Sequence, residues 1–325
     1  MRNLVTGGAG FIGSHLAEEL LRRGEEVVVV DNLSTGSIGN IEYLKDAPNF
    51  SYHIDTIMNE KLMKRLISEC GVVYHLAAAV GVKYIVDNPL ESIKTNVRGT
   101  EIILELAGLF KNKKVIIAST SEVYGKDRPG KRIFKEGDDR VEGDTTISRW
   151  SYSTTKALDE FLALAYWREK KLPVVIVRLF NTCGPRQTGR YGMVVPRFIK
   201  QALSGEPITV YGTGKQTRCF TDVSDAVNAV LSLAVNHKAV GEVFNIGNPY
   251  NRMTINALAK NIKKMTNSRS DIKHIPYEKA YEKGFEDMQH REPDITKIKK
   301  VTGFNPKVDK DEMLSKIIEY FKEKK

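Results

Sequence analysis

Thr6-Gly-Gly-Ala-Gly-Phe-Ile-Gly13 follows directly on the apolar run Asn3 to Thr6, and Gly7, Gly10 and Gly13 fall at a G-x-x-G-x-x-G spacing. Bare backbone there permits a tight strand-to-helix turn. It also lets a pyrophosphate approach the helix N-terminus, whose free N–H groups and dipole favour an anion. Glycine repeats alone say little, but Asp31 ends a second apolar run, Glu26 to Asp31, about 20 residues further on. A carboxylate in that place accepts hydrogen bonds from the ribose hydroxyls of an adenosine and repels the additional phosphate of NADP, so the pattern predicts NAD. Asp55, near the end of the expected third strand, is a candidate for the adenine amino group, with a solvated turn aspartate as the equal alternative.

Outward from this turn, strand-like and helix-like stretches alternate: Phe11 to Arg23, Glu26 to Asp31, Lys61 to Glu69, Val72 to Leu76, Ser92 to Phe110, Lys114 to Ser119, Tyr152 to Lys170 and Val174 to Leu179. Repeated strand-then-helix order predicts an α/β fold with a doubly wound parallel sheet, the Rossmann arrangement, over residues 1–180. From Asn181 onward Gly and Pro punctuate shorter helices, which predicts a smaller C-terminal substrate-binding α/β lobe over 181–325. Glu242 to Ile246 again reads as a buried strand, so the chain is expected to revisit the sheet around 218–247. The polar stretch Lys126 to Ser148 reads as a surface loop.

The remaining composition excludes several classes. A chain of 325 residues with 41% hydrophobic content is long enough to bury a core without a metal or disulfide staple. Cys70, Cys183 and Cys219 are widely spaced with no CxxC pair, which predicts neither a disulfide framework nor a metal cage and suits a reducing cytoplasm. No apolar run approaches the ~18 residues of a membrane span, and Met1 leads straight into a strand pattern, so a soluble protein without a signal peptide is expected. The net charge of +10 invites a nucleic-acid partner, but the lysines are scattered and not gathered on an aromatic-interleaved face. No nucleic-acid partner is expected.

Tyr152 and Lys156 stand four residues apart on a predicted helix, so both side chains project from one face. An ammonium beside a phenol stabilises phenolate. With an oxidised nicotinamide close by, the tyrosine acidity is expected to move from ~10 toward neutrality, as a general base requires. Thr120 follows the apolar strand Val115 to Ala118, at the C-terminal end where doubly wound sheets bind ligands.

TGGAGFIGSHL, DNLSTG, YHLAA, ASTSEVYG, YSTTK, RLFNTCGPRQ, VYGTG, QTRCFTDVSDA and FNIGNP, in that order, resemble an extended short-chain dehydrogenase/reductase acting on nucleotide sugars. The resemblance implies a triad of Thr120, Tyr152 and Lys156, with Tyr152 deprotonating a sugar hydroxyl while its carbon delivers hydride to a tightly bound, recycled NAD. It implies cofactor contacts from Phe11, Ile12, Asn32, Leu76, Ala77 and Ala78 besides the glycines, Asp31, Asp55, Tyr152 and Lys156. It places Asn181, Val195 and Arg218 at a UDP-sugar, Tyr211 against the base and Arg291 near the phosphates. Arginine pairs bidentately with phosphate and an aromatic face stacks on a flat base, as those roles need.

Oxidation at sugar carbon four can lead to epimerisation, to loss of water, or to loss of carbon dioxide from a uronic acid. A 4-epimerase needs no additional acid or base near carbon five, and Glu122 would be surplus there. A 4,6-dehydratase carries Asp where this chain has Ser121, whose hydroxyl is too weak an acid for the departing oxygen. Thr120-Ser121-Glu122 instead resembles UDP-glucuronic acid decarboxylases, and Lys83 is a candidate partner for the uronate carboxylate. The expected reaction is decarboxylation of UDP-glucuronate to UDP-xylose, with a UDP-hexose or UDP-hexuronate 4-epimerase as the alternative. A non-catalytic NAD-sensing protein has no use for the triad. Apolar residues on more than one face of two helices, among them Ile102, Ile103, Phe161, Leu164 and Trp167, together with the resemblance, suggest a homodimer.

Overall fold

In the computed structural model, which describes residues 1–126, 128, 130–189, 193–280 and 288–324, seven parallel strands form the central sheet. They are β1 (Arg2–Thr6), β2 (Glu26–Asp31), β3 (Phe50–Ile54), β4 (Val72–His75), β5 (Lys114–Thr120), β6 (Val174–Leu179) and β7 (Glu242–Ile246), in the order β7-β6-β5-β4-β1-β2-β3. Strands that run VVVV or VIIA, rich in β-branched residues, are buried on both faces, as parallel sheets require. Successive side chains point to opposite sides. Val27, Val29, Ile116, Val175 and Val177 join one apolar cluster, whereas Val28, Val30, Val115, Ile117 and Ile176 join the other.

The first face is covered by α1 (Phe11–Arg22), α6 (Val223–Val235) and α8 (Thr296–Thr302); the second by α2 (Glu60–Glu69), α3 (Pro89–Gly108) and α4 (Trp150–Lys170). The connection reverses direction between β1 and β4, which opens a crevice at their C-terminal ends.

The second lobe packs α5 (Val194–Ser204), α7 (Ile255–Met265) and α9 (Lys310–Glu323) around Phe198, Ile199, Phe220, Leu258, Ile262, Leu314 and Ile317. A two-stranded parallel sheet, Ile208–Tyr211 with Ile272–Ile275, edges this core. The sheet is revisited at Glu242–Ile246, and α6 and α8 also return to its face, so the C-terminal part contributes more to the first domain than one strand. Within the stretch expected as a surface loop, Ile133–Phe134 pairs with Glu292–Pro293, and Phe134 is fully buried beside Tyr124 and Phe180.

Candidate active site

The turn after β1 is built for close approach. Gly7 holds φ at +70°, and a Cβ there would stand 2.7 Å from the Ala77 nitrogen. A Cβ on Gly13 would stand 2.2 Å from the Gly7 carbonyl oxygen, so only glycine lets the helix sit this near the turn. Gly10 caps α1 without a side-chain acceptor, and no acid stands in the first turn, which leaves the helix dipole and its first amides to an incoming anion. Asp31, at the end of β2 and 7% exposed, accepts from Ala9 N at 2.9 Å and from Leu33 N at 2.8 Å. Burial pushes its carboxyl up, with backbone amides opposing. Asp55 accepts from Thr56 N and Asn59 Nδ2. These groups fit a dinucleotide: a pyrophosphate over the glycines and ribose hydroxyls at Asp31.

A cleft of about 960 Å³ runs from this turn into the second lobe. Its walls include Gly7, Gly10, Phe11, Ile12, Gly13, Asp31, Asn32, Asp55, Leu76, Ala77 and Ala78 on the first side, and Thr120, Ser121, Glu122, Tyr152, Asn181, Tyr211, Arg218 and Arg291 farther along. The expected cofactor and reaction residues, Lys156 excepted, therefore face one space.

Thr120 ends β5, and its hydroxyl accepts from Glu122 N at 3.2 Å to cap the short turn Ser121–Tyr124. Tyr152 lies in the first turn of α4, with the Thr120 hydroxyl near enough to its phenol to favour the ionised form. Lys156, one turn further on, is only 2% exposed and does not face the cleft. Its ammonium donates to Asp159 Oδ2 at 2.8 Å. The protein's own groups do not acidify this tyrosine. Burial, together with the Glu122 and Asp159 carboxylates, raises the Tyr152 phenol above its ordinary value, and the Thr120 hydroxyl only partly offsets them. The residue pair does not by itself make a base.

Glu122 is the electrostatic centre of the far side. Arg291 Nη1 lies 2.5 Å from its Oε1 and Arg149 Nη2 lies 3.0 Å from its Oε2. Burial favours the neutral acid, but Arg291, Arg149 and Arg218 outweigh it and lower the Glu122 pKa to about 2. Glu122 is thus ionised at neutral pH: it can accept a hydrogen bond or proton but has none to give. Arg291 Nη1 also reaches Ser121 Oγ at 3.4 Å. Arg291, expected near phosphates, is brought to the turn after β5.

Two further expectations are amended. Val195 is 1% exposed and packs with Phe198 and Ile199 in the core of the second lobe; its neighbours Met193, Val194 and Arg197 line the cleft instead. Tyr211 lines the cleft, but the Arg197 guanidinium sits 3.9 Å from its ring centroid, so one aromatic face is already covered. Asn181 holds φ at +36° and donates to the Cys219 carbonyl. The side chain of Lys83 lies outside the described residues. Arg149, Arg197 and Asp159 were not singled out from the sequence. Arg149 stands three residues before Tyr152, just ahead of the YSTTK motif, and Asp159 stands three residues after Lys156 on the same helix face.

Residues 4–317 match the family model described as GDP-mannose 4,6 dehydratase. A UDP-N-acetyl-alpha-D-glucosaminuronate decarboxylase of Bacillus cytotoxicus is 47% identical over 323 residues, covering 99% of this chain and 98% of that protein. A UDP-glucuronic acid decarboxylase 1 of Danio rerio is 38% identical, covering 98% of this chain and 72% of that protein. Among solved structures, the UDP-glucuronic acid 4-epimerase of Bacillus cereus, in complex with UDP-glucuronic acid and NAD, superposes with a TM-score of 0.87 at 30% identity over 100% of both chains. With the glycine turn in place and a family match over nearly the whole length, the chain belongs to the GDP-mannose 4,6-dehydratase family of extended short-chain dehydrogenases/reductases.

Proposed function

We propose that this protein is an NAD-retaining decarboxylase of a UDP-linked glucuronic acid. Bound NAD supplies the acceptor that takes hydride from sugar carbon four and gives it back, and the positive charge of its oxidised ring favours the phenolate of Tyr152. Tyr152 takes the proton of the carbon-four hydroxyl as that hydride leaves, with Thr120 donating to the phenolate oxygen. Lys156 supplies the cation behind it. Once carbon four is a ketone, the carboxylate on carbon five is a β-keto acid. Its carbon–carbon bond breaks, carbon dioxide departs, and the electron pair passes into the ketone as an enolate. Protonation at carbon five by a proton drawn from water, and return of the hydride with Tyr152 returning its proton to the oxygen, complete a 4-hydroxy pentose.

The observation that carries this reading is the convergence of Arg149, Arg218 and Arg291 on the ionised Glu122 in the cleft that holds Tyr152. Guanidinium groups that line the cleft beside Tyr152 suit a substrate with both a diphosphate and a uronate. A plain 4-epimerase has no use for a clamped carboxylate beside carbon five. The 47% identity to the N-acetylglucosaminuronate enzyme, against 38% to a glucuronate enzyme, favours a 2-acetamido uronate over glucuronate itself.

The assembly that fits this reading is a cytoplasmic homodimer. Leu90 and Ile93 on α3, and Leu158 and Phe161 on α4, are 41% to 65% exposed on helices that pack side by side. Such a face suits a helix bundle between two subunits. The three cysteines are buried free thiols, which suits a reducing compartment.

The test is incubation of the purified protein with UDP-glucuronate and with its 2-acetamido counterpart, monitored by carbon dioxide release and product mass. Carbon dioxide with a UDP-pentose is expected, faster from the acetamido sugar. Recovery of the 4-epimer at unchanged mass would overturn the decarboxylase reading.

A further inference from the structure

The chain leaves the sheet after β6 through Thr182–Cys183, which pairs with Thr221–Asp222, and residues 184–187 then run along α1. Three consecutive residues meet successive turns of that helix, on the face that carries Phe11, His15 and Glu18. A Cβ on Gly184 would stand 3.2 Å from the Phe11 ring and 2.4 Å from Val223 Cγ1, so the segment lies flat against α1 and α6. The Pro185 carbonyl, which can only accept, takes a hydrogen bond from His15 Nε2 at 3.0 Å. Arg186 Nη2 pairs with Glu18 Oε2. Arg186 also holds φ at +68°, a conformation that a residue with a Cβ keeps only where its surroundings hold it.

A second wall meets the same arginine. Ser37 N and Asn40 Nδ2 both donate to the Ala9 carbonyl, at 3.0 and 2.9 Å, which ties the loop after β2 to the glycine turn. That loop ends by placing the Tyr43 ring centroid 5.3 Å from the Arg186 guanidinium. Burial opposes ionisation of Glu18, but Arg186 and Tyr43 outweigh it and hold its carboxyl below the usual range. Both walls line the cleft, with Ser34, Thr35 and Ser37 from one and Thr182, Arg186 and Gln187 from the other, whereas Glu18 and Tyr43 do not. Thr182 Oγ1, Arg186 Nη1 and Gln187 Oε1 are buried with no hydrogen bond among the described residues. Buried polar atoms are nearly always satisfied, so this wall is shaped for a polar ligand.

We propose that Glu18 is a positioning residue for the cofactor: through Arg186 it latches residues 184–187 and the Tyr43 loop to α1, and so keeps the dinucleotide from leaving between catalytic cycles. The latch rests on the retained NAD of the proposed reaction and is independent of the fate of the ketone. Glu19, the next residue, pairs with Arg22 and Arg23 along the same helix and has no part in the latch, which makes it the matched control.

The readout is exchange of bound NAD for radiolabelled NAD on the purified holoprotein, at a salt concentration that screens charge steering. Glu18→Gln and Arg186→Met are each expected to speed exchange about 10-fold, the scale of one lost charge-assisted hydrogen bond. The double variant is expected to exchange no faster than Arg186→Met, because both substitutions cut the same link. Glu19→Gln is expected to exchange at the wild-type rate, and the affinity for UDP is expected to be unchanged throughout. A wild-type exchange rate in Glu18→Gln, an equal acceleration in Glu19→Gln, accelerations that multiply in the double variant, or a matching loss of UDP affinity would overturn the proposal. If Arg186→Met does not fold, Glu18→Gln, at a side chain 43% exposed, decides against Glu19→Gln. Wild-type protein that gives up its NAD on desalting would overturn the retention itself, a failure distinct from that of the latch.

Discussion

Replacing Glu122 by Gln removes the charge on which the arginines converge while keeping the shape of the side chain. Glu122 is 19% exposed, and its pKa is lowered from 4.5 to about 2. A native pKa depressed by ~2.5 units corresponds to roughly 3 kcal/mol of stabilisation at neutral pH, at about 1.4 kcal/mol per unit. The sign is set by the direction of the shift. The contribution is complete above the unfolded-state value and fades as pH falls from 4.5 toward 2. By about pH 3, roughly 2 kcal/mol of it is gone. The substitution also takes the Glu122 charge from Arg149 and Arg291, and breaking a buried pair costs about 3–5 kcal/mol. Urea unfolding of the wild type and Glu122→Gln near pH 7 and about pH 3 measures both effects. The variant is expected to be less stable by roughly 3 kcal/mol near neutrality, with the gap closing by about 2 kcal/mol at the acid end. A gap that is absent, or equal at both pH values, would refute the assignment of Glu122 as an ionised, arginine-held carboxylate.

Four further substitutions probe other parts of the site. Tyr152→Phe should cut turnover by about 10²–10⁴-fold, the range for removal of a general acid–base, while bound NAD still copurifies. Gly13→Ala drives a Cβ to 2.2 Å from the Gly7 oxygen, so the purified protein should carry little cofactor, read from its nucleotide content. Asp31→Asn should narrow the preference for NAD over NADP in reconstitution of the stripped protein; an unchanged ratio would place the discrimination elsewhere. Phe161→Glu sets a charge on a side chain that is 65% exposed, and should convert the proposed dimer to monomer by sedimentation, with roughly 1.5–3 kcal/mol of apolar burial lost per subunit.

What the sequence disclosed was local. The glycine turn, Asp31 and the strands Glu26–Asp31, Val174–Leu179 and Glu242–Ile246 could be read directly, because apolar β-branched runs and fixed short spacings are properties of neighbouring residues. The Tyr152–Lys156 spacing likewise put both residues on α4. The partners of the site were hidden because they come from distant segments. Arg291 meets Glu122 only through the pairing of Glu292–Pro293 with Ile133–Phe134, and nothing in either stretch announces it. Val195 belongs to a segment that does line the cleft, but helical periodicity turns its side chain into the core and leaves Val194 and Arg197 facing outward. The acidity of Tyr152 was hidden for a different reason. Spacing reveals that a cation can approach a phenol, whereas the phenol's acidity depends on burial and on every carboxylate in range, including Asp159, which claims the lysine first.

The central claim, that hydride leaves carbon four and returns to the same molecule around a loss of carbon dioxide, is tested most directly with UDP-linked glucuronate and 2-acetamido uronate deuterated at carbon four. The expected product is a UDP-pentose that keeps deuterium at carbon four, formed with one carbon dioxide per sugar and no accumulation of reduced cofactor in solution. Deuterium found in released NADH, or a hexuronate recovered with its carboxylate intact and its carbon-four configuration inverted, would contradict it.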